Sequence, residues 1–320
     1  MPLRHGAFLD YDSVHPGDLD LSALHAAVPD WRLYPSTRPG EVAERLRDIE
    51  VVVSNKVVLD RETLAGAEKL RLICVAATGT NNVDLTAARD LGLAVTNVTA
   101  YGTAAVVQHV FALLLTLTTR LDEHRRAARD GTWAGSPFFC VLDFPFRELA
   151  GKTLGIVGYG ELGRGVARIA AAFDMQVLIA QRPGAEPAPG RVPLDDLLRR
   201  ADVISLHVPL ADNTRHLIGA RELGLMRRDA VLINAARGGI VDEAALLEAL
   251  TEGRIGGAGI DVLATEPPPA NHPLLLADLP NLVVTPHTAW AAREARQRML
   301  DQVAANIAAY ARGESRNRLV

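Results

Sequence analysis

The chain holds only two cysteines, Cys74 and Cys140, among 320 residues. Both sit in apolar surroundings, so the expectation is two reduced, buried thiols in a reducing, cytoplasmic compartment. Neither has a Cys or His partner at zinc-ligand spacing, and no metal site is expected. An excess of positive charge is also missing. Lys plus Arg number 34 against 38 Asp plus Glu, a net charge of −4, which argues against a nucleic-acid partner. No apolar run reaches the roughly 18 residues that a membrane span needs. The longest candidate, Val106 to Leu117, contains His109 and reads as a core helix. The start of the chain, Met1-Pro2-Leu3-Arg4-His5, lacks the apolar stretch of a secretory leader. Internal repeats and low-complexity tracts are absent.

What is present describes a globular protein, 48% apolar and 22% charged. Its length suits two domains better than one core. Apolar runs and helical patterns alternate. Val51–Val53, Leu72–Ala76 and Leu93–Thr96 read as strands in the first third. Leu154–Val157, Met175–Ala180, Val203–Val208, Val231–Asn234, Ala258–Val262 and Leu282–Thr285 read as strands further on. Helices are expected between them, as at Val166–Phe173 and at Asp242–Glu252, where acidic residues cap the start. A long amphipathic helix is expected at Arg293–Ala311, and Gly184–Pro193 reads as a loop. This alternation predicts an α/β fold with parallel sheets covered by helices.

The most specific motif is Gly158-Tyr159-Gly160-Glu161-Leu162-Gly163, between the strand Leu154–Val157 and a helix. That context suits a dinucleotide fingerprint. Gly158 allows the tight turn, Gly160 lets the backbone approach a pyrophosphate, and Gly163 lets helix and strand pack closely. The first helical amides then face the phosphates. The motif lies near mid-chain, so about 100 residues must form a separate domain ahead of it.

Three charged residues follow strands in the second half: Arg237, Glu266 and His287. In a doubly wound sheet, ligands bind outside the carboxyl ends of strands. Arg can clamp a carboxylate in a fork. His exchanges a proton near neutral pH. Glu can orient an imidazole and favour its charged form. Taken singly, each also reads as an ordinary loop residue: Arg237 as a surface charge, Glu266 as a solvated turn residue, His287 as a hydrogen-bonded turn histidine. Their joint placement beside a nucleotide loop favours function.

These blocks resemble the D-isomer-specific 2-hydroxyacid dehydrogenase family over nearly the whole length. They are Ala77-Thr78-Gly79-Thr80-Asn81-Asn82-Val83-Asp84, the glycine fingerprint, His207-Val208-Pro209-Leu210, Ile233-Asn234-Ala235-Ala236-Arg237-Gly238, Asp261-Val262 with Glu266-Pro267, and Pro286-His287-Thr288-Ala289. Ser54–Asp60, Phe139–Pro145 and His287–Ala291 look closest to glycerate dehydrogenase and hydroxypyruvate reductase members. The resemblance implies two Rossmann-like domains with the active site in the cleft between them. Residues 1–99 with 290–320 would form a flavodoxin-like substrate domain, and 100–289 the nucleotide-binding domain. It further implies hydride transfer between a nicotinamide and C2 of a small 2-oxo or 2-hydroxy acid, hydroxypyruvate or glyoxylate first. Cleft closure would exclude water, and a homodimer would form through the region between about Tyr101 and Arg147. Rival readings are another 2-oxo acid or phosphite as substrate, and a non-catalytic, nucleotide-sensing, corepressor-like protein.

By the same resemblance Arg237 binds the substrate carboxylate and carbonyl, His287 is the acid/base and Glu266 its partner. Thr78 and Gly79 hold the carboxylate through backbone amides, with Lys56 and Trp290 near the pocket. Lys56 reads equally well as an exposed strand-end lysine, and Trp290 as a core aromatic at a helix start. The cofactor set implied is Thr103, Val107, Gly158, Gly160, Glu161, Leu162, Gly163, Gln181, Arg182, His207, Val208, Pro209, Thr214, Ala235, Ala236, Arg237, Asp261, His287 and Ala289. Asp261 would lie near the nicotinamide amide. Two departures stand out. Gln181-Arg182 replaces the family's usual acid at the adenosine ribose, which removes repulsion of a 2′-phosphate and supplies a cation. The cofactor is therefore NADP(H) or NAD(H), with NADPH expected to be favoured, unless Arg182 points to solvent with Pro183 turning the chain away. Gln108 stands where the family commonly has Glu, and no role is read for it.

Overall fold

The computed structural model describes residues 3–14, 16–182, 184, 186 and 188–320. Met1, Pro2, His15, Pro183, Ala185 and Pro187 lie outside them, including the expected turn at Pro183 and two residues of the expected loop Gly184–Pro193. The chain divides into two compact units, Met1–Gly102 with Trp290–Val320, and Thr103–Ala289.

In the first unit the order is β1 (His5–Phe8), α1 (Ser22–Ala27), β2 (Asp30–Leu33), α2 (Val42–Arg45), β3 (Val51–Ser54), α3 (Arg61–Ala65), β4 (Leu72–Val75), α4 (Leu85–Asp90) and β5 (Ala94–Thr96). The strands form one parallel sheet in the order β2-β1-β3-β4-β5, the flavodoxin-like order. β3, β4 and β5 are buried throughout, as their continuous apolar sequences require of a sheet covered on both faces. β1 and β2 are absent from the sequence reading. The first is only four residues with a glycine in it, and the second is a half-exposed edge strand with charges at Asp30 and Arg32. The C-terminal helix Arg293–Ala311 packs on α1 and β4 of this unit, and its buried Asn306 donates to Asn97 O at 2.8 Å.

The second unit continues with α5 (Thr103–Thr118), α6 (Leu121–Ala127), β6 (Thr153–Val157), α7 (Glu161–Ala172), β7 (Gln176–Ile179), α8 (Leu194–Arg200) and β8 (Val203–Leu206). Then come α9 (Ala220–Leu225), β9 (Val231–Asn234), α10 (Glu243–Thr251), β10 (Gly257–Ile260), α11 (Pro273–Leu276) and β11 (Leu282–Val284), with α12 (Arg293–Ala311) in the first unit. Its six parallel strands lie in the order β11-β10-β9-β8-β6-β7. The direction of winding reverses between β6 and β8, and that is where the glycine motif emerges. One apolar layer packs Leu197, Leu223, Leu246 and Ile255 on the sheet. The other packs Val107, Val110, Leu114 and Val166 of α5 and α7. Helix α10 starts at Asp242, whose carboxylate accepts from the amides of Ala244 and Ala245 at 3.1 Å each.

Among the described residues no single helix is long and apolar enough to cross a membrane. The pair α5 and α6, bent by 58°, passes by length and composition only, and α5 is a buried core helix. Cys74 is buried, and burial pushes its thiol up to about 12. Cys140 corrects the expectation of two buried thiols: it is only half-buried, in an irregular segment after α6 that exposes Trp133, Phe138, Phe139, Leu142 and Phe146. The apolar neighbours that suggested burial are themselves solvent-exposed.

Candidate active site

The nucleotide end is built from backbone. β6 stops at Val157, and Gly158 takes φ +98°, a conformation that disfavours any side chain. A Cβ there would sit 2.5 Å from His207 O, because the loops after β6 and β8 touch at the reversal point. Gly160 caps α7 and has open space where a Cβ would be, so a ligand can approach the main chain. A Cβ on Gly163 would lie 2.2 Å from Gly158 O, and this close approach seats α7 on the turn. Gly158, Tyr159, Gly160, Ala180, Gln181, Arg182, Arg191, His207, Val208 and Pro209 line one cavity of about 350 Å³. An open cradle at the N-terminus of a twelve-residue helix fits the pyrophosphate and ribose of a dinucleotide.

The other residues expected around the cofactor divide. Thr103 donates to the Glu161 carboxylate at the start of α7. Val107 and Leu162 pack in the apolar layer under the sheet. Thr214 shapes the turn after β8, donating to Pro209 O at 2.7 Å and accepting from Ala211 N at 2.8 Å. The His207 ring contacts Ser205 Oγ at 2.9 Å through Nε2, and burial pushes its pKa down to about 4. Gln181 lines the cavity, but its side chain donates to Glu186 O and accepts from Ala188 N at 3.2 Å. Arg182 is exposed, and so is Gln108.

The charged trio sits at three adjacent strand ends. After β9, the buried Asn234 braces the turn: its Oδ1 accepts from Ala236 N at 3.1 Å and its Nδ2 donates to Arg237 O at 3.0 Å. Ala235 and Ala236 are buried, and the half-buried Arg237 donates through Nη1 to Ala236 O at 2.7 Å. After β10, the Glu266 Oε1 accepts from Leu263 N at 2.8 Å, while Oε2 meets His287 Nδ1 at 2.6 Å. With Nδ1 committed to a carboxylate, Nε2 is the nitrogen left for a substrate proton.

His287 itself has φ +53°, uncommon for a side chain of this size. Asp261 holds it there. The Asp261 carbonyl accepts from His287 N at 2.8 Å. The buried Asp261 carboxylate accepts from Thr285 Oγ1 at 2.6 Å, Thr288 N at 2.9 Å and Ala289 N at 3.0 Å. His109 Nε2 lies 3.3 Å from it and 2.9 Å from Thr285 Oγ1. Burial opposes this charge, and the hydrogen bonds from His109, Thr285 and the two amides outweigh it, so the carboxyl titrates below its ordinary value.

In the first unit, the buried Asp10 accepts from the amides of Asn55 at 2.9 Å, Lys56 at 2.6 Å and Val57 at 3.3 Å. It thereby fixes the turn that presents the exposed Lys56 after β3. Thr78 follows β4 and donates to Val98 O at 2.9 Å, with Gly79 beside it. Trp290 is half-buried, three residues ahead of α12. Sequence reading missed the bracing roles of Asp10, His109 and Asn234, and it missed Arg191 altogether. Of these, Asn234 lay inside the block Ile233–Gly238, and His109 was noted only as part of the apolar run Val106 to Leu117.

A doubly wound sheet with a glycine cradle at its reversal point, and Arg, Glu and His at neighbouring strand ends, defines a nicotinamide-dependent dehydrogenase. The family model "D-isomer specific 2-hydroxyacid dehydrogenase, NAD binding domain" matches residues 111–289. A glycerate dehydrogenase of Methylorubrum extorquens is 44% identical over 311 residues, covering 97% of each chain. A hydroxypyruvate reductase of Blautia hydrogenotrophica is 36% identical, again over 97% of each chain. Among solved structures, an acyclic imino acid reductase in complex with NADPH and D-Arg superposes with a TM-score of 0.86 at 28% identity, covering 99% of this chain and 100% of that one. The chain belongs to the D-isomer-specific 2-hydroxyacid dehydrogenase family and is an oxidoreductase acting on small 2-hydroxy or 2-oxo acids with a nicotinamide cofactor.

Proposed function

We propose that this enzyme reduces hydroxypyruvate and glyoxylate, with D-glycerate the reverse substrate, and that NADPH is preferred to NADH. The observation that carries the mechanism is the His287–Glu266 contact of 2.6 Å, beside Arg237 in the loop that follows the neighbouring strand β9. The substrate classes follow the names of the relatives above. When bound, the nicotinamide supplies or takes up a hydride. Arg237 grips the substrate carboxylate and stabilises negative charge growing on the carbonyl oxygen. His287 Nε2 gives that oxygen a proton during reduction and takes it back during oxidation. Glu266 fixes the tautomer and orientation of the ring. Asp261 belongs to the nicotinamide end of the site and holds the His287 loop. Lys56, Thr78, Gly79 and Trp290 are assigned to substrate binding from the first unit.

The cofactor preference rests on the cavity at β7, where Arg182 and Arg191 line the wall and no carboxylate does among the described residues. A homodimer is proposed through the segment after α6, where Phe138 is 73%, Phe139 91% and Leu142 80% exposed. Apolar exposure on this scale marks an interaction surface, and light scattering tests it. A cytoplasmic location is part of the same reading. The functional test measures kcat/KM for hydroxypyruvate, glyoxylate, pyruvate, other 2-oxo acids and, in the oxidative direction, phosphite, with each cofactor. Hydroxypyruvate and glyoxylate should lead, and Gln181→Asp with Arg182→Ala should move the NADPH/NADH ratio by at least about tenfold. Turnover of phosphite alone, or of none of these compounds, would overturn the reading.

A further inference from the structure

The chain leaves β7 at Ala180 and comes back alongside it. Ala180 bridges to Val192 in parallel, Gln181 N donates to Val192 O at 2.7 Å, and Val192 N donates to Ile179 O at 2.9 Å. This return places Arg191 at the carboxyl end of β7, ten residues beyond Gln181 in sequence but next to it in space. Arg191 Nη1 donates to Ala180 O at 3.2 Å, and the residue is half-buried. Arg182 lines the same cavity but is exposed, with no hydrogen bond of its side chain recorded among the described residues. The cavity also holds the glycine cradle and contains no acidic side chain among its lining residues. In doubly wound sheets, the end of the strand after the cradle is where the adenosine ribose is read.

We infer that Arg191, more than Arg182, is the cation that recognises a phosphate on the 2′ position of the adenosine ribose. The inference rests on the nicotinamide site proposed above and names the residue that sets its preference. A guanidinium carries five N–H donors, and one anchors Arg191 to the main chain, so the fork is already oriented with donors to spare. An exposed Arg182 must lose side-chain freedom to make the same contact, which weakens its share. Gln181 cannot compensate, because its amide is engaged with the main chain of Glu186 and Ala188.

The experiment is calorimetric titration of the intact enzyme with 2′,5′-ADP and with 5′-AMP, in wild type, Arg191→Ala, Arg191→Lys and Arg182→Ala. Thermal melting of each variant accompanies it. Wild type should bind 2′,5′-ADP more tightly. Arg191→Ala should weaken 2′,5′-ADP by about 10- to 100-fold, the range for a charge-assisted hydrogen bond, and change 5′-AMP by less than about twofold. Arg191→Lys should recover part of the loss, and Arg182→Ala should lose less than Arg191→Ala. An equal loss for both nucleotides in Arg191→Ala would show a merely structural role and overturn the inference. A larger loss in Arg182→Ala, or no wild-type preference for 2′,5′-ADP, would overturn it too. In those cases wild-type turnover of hydroxypyruvate with NADH would leave the dehydrogenase reading standing. Absence of turnover with either cofactor would sink that reading separately.

Discussion

Replacing Gly238 with alanine probes how the reacting groups are spaced. A Cβ at this position would lie 1.9 Å from Leu263 O, 2.1 Å from Leu263 C and 2.5 Å from Ala264 N. Ordinary carbon contacts begin near 3.5 Å, so the two backbones must separate by at least about 1 Å. Neither neighbour can rotate away, since all three atoms are main chain. Both sides carry chemistry. Arg237 immediately precedes the glycine, and Leu263 N donates to Glu266 Oε1 at 2.8 Å. The substitution therefore pushes Arg237 away from the Glu266–His287 pair. A misplacement of this size costs on the order of 100-fold in rate, and the overpacking costs about 1–3 kcal/mol. For a unit of this size that lowers Tm by roughly 2–12 °C. The assay is kcat/KM for hydroxypyruvate at saturating cofactor, with Tm by circular dichroism. Gly224→Ala is the control, because nothing lies within 4 Å of its added Cβ, and it should be neutral or slightly stabilising. Wild-type kcat/KM and Tm in Gly238→Ala would refute the spacing argument.

His287→Ala should lower kcat by about 100- to 10,000-fold while cofactor binding, followed by fluorescence titration, stays near wild type; near-native turnover would remove His287 from the mechanism. Arg237→Lys keeps the charge and loses the fork, so kcat/KM should fall by about 10- to 100-fold, and wild type should discriminate strongly against aldehydes that lack the carboxylate. Equal reduction of acid and aldehyde contradicts the clamp. The depressed pKa of His207, about 4 against 6.5, has a stability consequence. Between those values only the unfolded chain binds the proton, so stability falls as pH drops from about 6.5 to about 4 and is unaffected above. His207→Gln should abolish a loss of about 2–3 kcal/mol between pH 7 and pH 4.5, measured by urea unfolding at both pH values; a difference from wild type that does not vary with pH contradicts it.

The centre of the second sheet was legible because β8, β9 and β10 are buried throughout and therefore read as short apolar runs, whereas β7 and β11 at its edges are only partly buried. Val231–Asn234 and its neighbours show this directly, and the trio at their ends could be picked out by position alone. β1 escaped because Gly6 interrupts four residues, and the reason for that glycine lies elsewhere in the chain: a Cβ there would meet the Trp31 ring of β2 at 2.8 Å. Edge strand β2 alternates exposure over too few residues to carry a period. The bracing residues were hidden for a different reason. Asp10 and Asn234 act on backbone amides and carbonyls, which have no sequence signature, His109 acts through Thr285 and Asp261 far along the chain, and Arg191 reaches the cavity only because the chain doubles back at Val192. Cys140 misled because hydrophobic neighbours signal burial only when something covers them.

The detour between Gln181 and Val192 is tied down by its own parts. Gln181 fastens to Glu186 and Ala188, and Val192 closes it against Ile179. The sheet registers only the two ends. If Arg191 reads the cofactor as proposed, that choice rests on a segment outside the named strands, while the glycine cradle belongs to the separate turn between β6 and α7. On that proposal, the choice of nucleotide and the pairing of β7 with β6 lie in different parts of the chain.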